Sequence, residues 1–203
     1  MKLTIVDYGI GNLESIFNAC RKITDININV SANPQDLTNS DYAILPGVGA
    51  FSHAVNSLER NNWINSLDSY VESKRPILGI CLGMQLFFQN SYEFGLHKGL
   101  NYFEGEVIKL PECEEKLPNV GWRKIHHKDK SSMFNGIDQD SYFYFTHSYR
   151  CKPIDKKIIN SSINFCGEDI PSSTQYKNIW STQFHPEKSA EPGLILLKNF
   201  FNS

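Results

Sequence analysis

The chain has 203 residues, of which 40% are hydrophobic and 21% charged, with a formal net charge of −2. Such a near-neutral chain, without a Lys/Arg run, lacks the electrostatic footprint of a nucleic-acid binder. No apolar run approaches the roughly 18 residues of a membrane span, and Met1 to Asp7 lacks the apolar stretch of a signal peptide.

The length suits one domain over residues 1–203, with enough chain to bury a core without a metal or disulfide staple. Lys2 to Val6 reads as a short strand, ended by the turn Asp7 to Asn12. Leu13, Ile16, Phe17, Cys20 and Ile23 recur at three- and four-residue spacing, which predicts a helix. Asp25 to Val30 and Asp41 to Leu45 follow as strands, the second closed by Pro46-Gly47-Val48-Gly49. Ala50 to Lys74 predicts one long or broken helix, Pro76 to Ile80 a buried strand, and Leu82 to Gln89 a helix. This alternation predicts an α/β fold, an open, mostly parallel sheet flanked by helices. Lys98–Leu110, Gly121–His126, Ser141–Tyr149, Lys157–Cys166 and Asn178–Phe184 are strand-like with little helix between them. They read as added antiparallel strands plus the last strands of the main sheet, and Ala190 to Phe201 closes the chain as an amphipathic helix.

Several chemistries are set aside. Cys20, Cys81, Cys113, Cys151 and Cys166 are odd in number and widely spaced, with no C-x-x-C. No disulfide framework or zinc site is therefore expected, and a reduced cytoplasm is the expected compartment. Gly9-Ile10-Gly11 follows the first strand, but Glu14 occupies the place of the third glycine of a dinucleotide loop, and there is no phosphate-binding P-loop. His126-His127 is adjacent rather than spaced for one metal. Neither a cofactor nor a metal is expected.

The sharpest local feature is Ile77-Leu78-Gly79-Ile80-Cys81-Leu82-Gly83-Met84. An apolar strand runs into Gly-x-Cys-x-Gly and then a helix, a nucleophile elbow with cysteine in place of serine. The glycines relieve crowding in a tight strand-to-helix turn, and the turn places Cys81 where helical N–H groups favour a thiolate. The Leu82 N–H would point towards a developing oxyanion. A thiolate nucleophile needs a base and an orienting group, and Gln183-Phe184-His185-Pro186-Glu187 offers both. In an extended segment residues i and i+2 face the same way, so Glu187 can hold His185 while the other ring nitrogen faces Cys81. The order Cys, His, Glu is not that of the α/β-hydrolases. The glycine loop Leu45-Pro46-Gly47-Val48-Gly49-Ala50-Phe51 ends a strand at the edge where open parallel sheets bind ligands, and can aim N–H groups at an oxyanion.

In combination these segments resemble the class I, triad-type glutamine amidotransferases, essentially end to end. The closer likeness is to the glutaminase subunits of imidazole glycerol phosphate synthase. It is carried by Val6-Asp7-Tyr8-Gly9-Ile10-Gly11-Asn12-Leu13, the glycine loop, Gly79 to Gln85, and Gln183 to Ser189. The resemblance implies that Cys81 attacks the side-chain amide of L-glutamine, His185 shuttles the proton and Glu187 orients His185. It implies an oxyanion site at Val48 or Gly49 and Leu82, and glutamine held by Gly49, Gln85, Glu93, Ser148 and Tyr149. It also implies ammonia transfer to a (β/α)8-barrel cyclase subunit, in a heterodimer whose interface includes Asn12, Trp122, Arg123 and Lys188. Two positions depart from the pattern. Gly121-Trp122-Arg123 replaces the usual Gly-Trp-Asn, and of the acidic run only Glu93 remains in Gln89-Asn90-Ser91-Tyr92-Glu93. Close paralogues feed surface-sugar synthetases, so that acceptor stays open beside the histidine pathway. A stand-alone cysteine hydrolase or peptidase and a non-catalytic module on the same fold stay open as well. Arg123, longer than asparagine and charged, is expected to meet a carboxylate or carbonyl that the partner presents.

Overall fold

Alternation along the central strands sorts residues into two cores. In a computed structural model describing residues 1–129 and 131–203, β1 (Lys2–Val6) sends Leu3 and Ile5 to one core and Val6 to the other. α1 (Leu13–Arg21) covers the first core with Ile16, Ala19 and Cys20. β2 (Asn27–Ser31) pairs parallel with β1 at the edge. β3 (Tyr42–Leu45) sends Tyr42 and Ile44 to the first core and Ala43 and Leu45 to the second. Helices α2 (Phe51–Arg60) and α3 (Trp63–Glu72) cover that second face with Phe51, Ala54, Leu58, Trp63, Leu67 and Tyr70. The Ala50–Lys74 helix is thus broken, at Asn61-Asn62, where Asn62 takes φ 59°.

β4 (Ile77–Ile80) leads into α4, which is only Leu82–Leu86. The expected helix to Gln89 stops early because Phe88–Ser91 forms a strand, β5. The short β6 (His97–Lys98), β7 (Phe103–Lys109), β8 (Asn119–Lys124), β9 (His126–His127), β10 (Tyr142–His147), β11 (Tyr149–Pro153), β12 (Ile159–Phe165), β13 (Glu168–Tyr176) and β14 (Ile179–Thr182) follow, and α5 (Ala190–Phe200) closes on the first core. The main sheet runs β2-β1-β3-β4-β14-β13-β12-β9; it is parallel from β2 to β14 and antiparallel beyond. A second sheet runs β11-β7-β5-β6, and β8 pairs with β10. The expected α/β architecture is therefore present, with the carboxyl ends of β1, β3, β4 and β14 side by side. Strands β5, β11 and β13 go beyond what the sequence pattern predicts.

One expectation about cysteines is corrected. Cys113, in the loop after β7, is disulfide-bonded to Cys166 in the β12–β13 turn, 53 residues away. The fold brings their Cα atoms to 6.0 Å, a proximity that spacing along the chain cannot reveal. Cys20, Cys81 and Cys151 are free and buried. Among the described residues no helix is long and apolar enough to cross a membrane.

Candidate active site

Cys81 sits between β4 and α4 with φ 56° and ψ −108°, a conformation costing an L-residue about 1–3 kcal/mol. Three backbone bonds over-determine it. Its N–H donates to the Thr182 carbonyl at 2.7 Å, and its carbonyl accepts from Met84 and Gln85 at 3.1 and 3.4 Å. A Cβ on Gly83 would lie 2.0 Å from the Leu45 carbonyl oxygen, and one on Gly79 would lie 2.7 Å from the Gly83 oxygen. The glycines are thus required for the turn, as the motif predicts.

His185 follows β14 on the neighbouring strand end. Its Nδ1 lies 2.8 Å from Glu187 Oε1, and the side chains are 3% and 1% exposed, so this is an internal pair. The two meet through a single helical turn, Pro186–Lys188, rather than through an extended run. His185 Nε2 is buried without a hydrogen-bond partner, the free valence a base requires. Burial disfavours the charged ring, but Cys81 beside it and the Glu187 carboxylate outweigh that and raise the imidazole to about 10. The electrostatics favour the protonated imidazole beside Cys81.

A cavity of about 240 Å³ opens onto Cys81. Gly49, Gln85, Glu93, Ser148 and Tyr149 all line it, together with Val48 and Leu82, so every residue expected around glutamine or the oxyanion meets there. Among the described residues Glu93 is the only carboxylate on that wall; its Oε2 accepts the Phe51 N–H at 2.5 Å and so also caps α2. Gln85 Nε2 donates to the Tyr149 carbonyl at 3.3 Å and to Gln183 Oε1 at 3.0 Å.

The glycine loop after β3 is held in one particular state. Gly49 takes φ +87° and Val48 is exposed. The buried Tyr8 hydroxyl donates to the Pro46 carbonyl at 2.8 Å and pins the base of the loop. The Leu82 N–H is not free. It donates to the Gly47 carbonyl at 3.3 Å, so it can serve an oxyanion only when that carbonyl swings away.

Pro118, Thr146 and His147 also line the cavity and were missed from sequence. His147 Nδ1 lies 2.8 Å from the Tyr149 carbonyl and Nε2 lies 2.9 Å from Asn119 Nδ2, which sets a neutral ring with the proton on Nδ1. Burial lowers His147 to about 4, helped by His185 and Arg123 and opposed by the bond to Tyr149. An unfolded histidine titrates near 6.5, so between about pH 6.5 and 4 the unfolded chain binds a proton that the folded chain refuses. Stability is therefore full above about pH 6.5 and falls on acidification towards pH 4, by about 3 kcal/mol. His185, raised rather than lowered, is protonated in both states over most of that window and adds little to the slope. Urea unfolding of the wild type and of His147→Gln between pH 7 and 4.5 checks this: the slope should be lost in the variant.

The residues expected at a partner face divide. Trp122 is 49% exposed on β8, edge-on to Tyr144 with centroids 6.1 Å apart, and the Lys188 ammonium lies 5.8 Å from the Tyr144 ring centroid. These three form one surface cluster beside His185, whose N–H donates to the Tyr144 carbonyl. Asn12 caps α1, its side chain accepting the Ser15 N–H at 3.4 Å. Arg123 already has a carboxylate within the chain. It contacts Glu115 at 2.5 Å and donates to Asn119 Oδ1 at 2.9 Å.

The family model for class-I glutamine amidotransferases matches residues 4–203. The chain belongs to the class-I glutamine amidotransferase family. It is 40% identical over 200 residues to the imidazole glycerol phosphate synthase subunit HisH of Aquifex aeolicus, covering 98% of this chain and 96% of the relative. To subunit HisH 1 of Campylobacter jejuni strain RM1221 it is 42% identical over 200 residues, 98% of each chain. Among solved structures, PurLQS from Thermotoga maritima superposes with a TM-score of 0.75 at 17% identity, covering 99% of this chain and 97% of that one, a likeness of fold.

Proposed function

We propose that this chain is the glutaminase subunit of an imidazole glycerol phosphate synthase. In this reading it is one domain over residues 1–203, acts in the cytoplasm, and forms a heterodimer with a (β/α)8-barrel cyclase subunit of histidine biosynthesis. The observation that carries the chemistry is the buried His185–Glu187 pair at 2.8 Å, with His185 Nε2 unpartnered beside a strained Cys81. The relatives at about 40% identity support the choice of acceptor. Arg123, satisfied by Glu115 and Asn119, gives no ground for preferring a surface-sugar acceptor.

Cys81 Sγ attacks the amide carbon of glutamine while His185 Nε2 takes the thiol proton and returns it to the leaving ammonia. Water, deprotonated by His185, then hydrolyses the glutamyl thioester to glutamate and regenerates the thiol. Glu93 takes the substrate ammonium, and Gln85, Ser148 and Tyr149 complete the amino-acid end. The N–H groups of Gly49 or Val48 and of Leu82 take the oxyanion once the Gly47 carbonyl has left Leu82.

Because that carbonyl occupies Leu82, the chain alone should be a poor glutaminase. Partner and acceptor together favour the open loop through contacts that differ between the two states. Glutamate release measured for the chain alone, then with the cyclase subunit and its acceptor, should rise at least about tenfold, equivalent to about 1.4 kcal/mol of bias. Full turnover by the chain alone, unchanged on adding both, would overturn the reading.

Docking uses the Trp122–Tyr144–Lys188 cluster. Half-exposed Trp122 carries little of the core, whereas interface tryptophans typically cost about 2 kcal/mol or more when truncated. Trp122→Ala should weaken cyclase binding at least about tenfold and leave the melting temperature of the free chain nearly unchanged. Titration calorimetry and thermal unfolding of the same variant separate the two effects.

A further inference from the structure

Cys81 is as buried as an ordinary core cysteine, at 6% exposure. At that depth burial works against a thiolate. It pushes Cys20 up to about 12 and raises Cys151 well above the usual thiol range, and both lie in the apolar cores. The nucleophile therefore needs donors that the other two lack. His185 is one. The second is the side chain of Gln183.

Gln183 follows β14 and is completely buried. Its N–H donates to the Ser172 carbonyl at 2.8 Å, which fixes the backbone two residues before His185. Its side-chain Nε2 lies 3.8 Å from Cys81 Sγ, within hydrogen-bonding range for sulfur. Its Oε1 accepts from Gln85 Nε2 at 3.0 Å, and that bond settles which end of the amide faces the sulfur. Gln85 is held in turn by the Tyr149 carbonyl. Across the cleft the Cys81 thiol donates only weakly, to the Thr146 carbonyl at 3.9 Å. A donor aimed at sulfur gains little from a neutral thiol and more from a thiolate, because hydrogen bonds to charged groups are about twice as strong.

We propose that Gln183 is a fourth residue of the catalytic machinery: its side-chain amide, anchored by Gln85, donates to Cys81 Sγ and stabilises the thiolate. The inference rests on Cys81 being the nucleophile. Gln183 and His185 thus reach the sulfur from one motif, and an extended segment ending in a turn places both at Cys81. Gln85 gains a second duty. It lines the glutamine cavity and holds the amide that charges the nucleophile.

The test is the pH dependence of iodoacetamide alkylation at Cys81 in the full-length protein, followed by mass spectrometry of the Cys81 peptide. Gln183→Met keeps the length and removes the donor. Gln183→Glu keeps the oxygen that accepts from Gln85 and turns a carboxyl towards the sulfur. Both should slow alkylation at pH 7 about tenfold, while the plateau rate at high pH is retained. With the cyclase subunit and acceptor present, kcat for glutamine should fall about tenfold and KM change less than about twofold. A merely structural glutamine would lower the melting temperature and leave the alkylation profile where it was. Should the Met variant fail to fold, the isosteric Glu variant decides. A folded variant of either kind with a wild-type alkylation profile overturns the proposal. Glutamate release by Cys81→Ala in the same complex would instead overturn the assignment of the nucleophile, which separates the two failures.

Discussion

Replacing Cys81 with alanine should abolish glutamine-dependent turnover, by about a thousandfold or more, and spare turnover driven by added ammonium salt in the complex with the cyclase subunit. The split follows from geometry. Only the sulfur is lost from the cavity, and the alanine methyl fits a site built for a larger side chain. The acceptor lies on the partner, where ammonia from bulk solution can still reach it. His185→Ala should match it, because nucleophile and base act as one unit and losing either removes most of the rate. Glu187→Gln should be milder by roughly one to two decades, since an amide can still hold Nδ1 while the charge supporting the imidazolium is gone. The double variant Cys81→Ala/His185→Ala should be no worse than either single one. The measurement is product formation with glutamine and with ammonium chloride, on the same preparations. Glutamate release persisting in Cys81→Ala would mean that the nucleophile is elsewhere. Loss of the ammonium-driven reaction would mean that the variant has disturbed docking.

How far the sequence shows the molecule depends on what holds each part. β1, β3 and β4 are visible because they are short, largely apolar runs that lead into glycine turns; their observed bounds fall within a residue or two of those expected. α5 is visible because its apolar face repeats with helical spacing. β13 is not, and the reason is chemical. After Ile170 its buried positions are Ser172, Ser173 and Thr174, preceded by the half-buried Pro171. Their hydroxyls are satisfied by one another across the sheet: Ser161 lies 2.7 and 2.6 Å from Ser172 and Ser173, and Thr174 lies 2.6 Å from Ser181. A buried strand held by hydroxyl pairs carries no hydrophobic period to find. The site divides in the same way. Cys81, His185 and Glu187 sit in short motifs whose local geometry is nearly sufficient. His147, Asn119 and the Gln85–Gln183 pair do their work through partners 28 and 98 residues away, and the Cys113–Cys166 bond spans 53. The Gly47–Leu82 bond was hidden too, since it depends on how β3 and α4 are brought together.

That junction carries the second large expected effect, Gly83→Ala. Gly83 lies within α4, where alanine would ordinarily be favoured by up to about 1 kcal/mol. Here the added methyl would sit 2.0 Å from the Leu45 carbonyl oxygen and 3.0 Å from the Leu45 carbonyl carbon. Both are backbone atoms of a central strand, so no rotamer change relieves the clash, and α4 must move away from β3. Gly79→Ala offers a graded comparison. Its nearest contact, at 2.6 Å, is the far edge of the Phe87 ring, which can yield, although the Gly83 oxygen at 2.7 Å cannot. Overpacking of this kind costs typically about 1–3 kcal/mol and occasionally more. The functional loss should be larger than the stability loss. Moving α4 tilts the strained Cys81 away from His185 and shifts Gln85, which holds both Tyr149 and Gln183. A misplacement of about 1 Å at a reacting atom can cost about a hundredfold in rate. Gly83→Ala should therefore lose glutaminase activity at least about a hundredfold while a fold of reduced melting temperature persists, and its Cys81 should alkylate slowly at pH 7. Circular dichroism, thermal unfolding and glutamate release on one sample decide the matter. Wild-type activity with an unchanged melting temperature would show that α4 and β3 can separate by more than an ångström without consequence, and the close packing of the elbow would then have no part in placing the nucleophile.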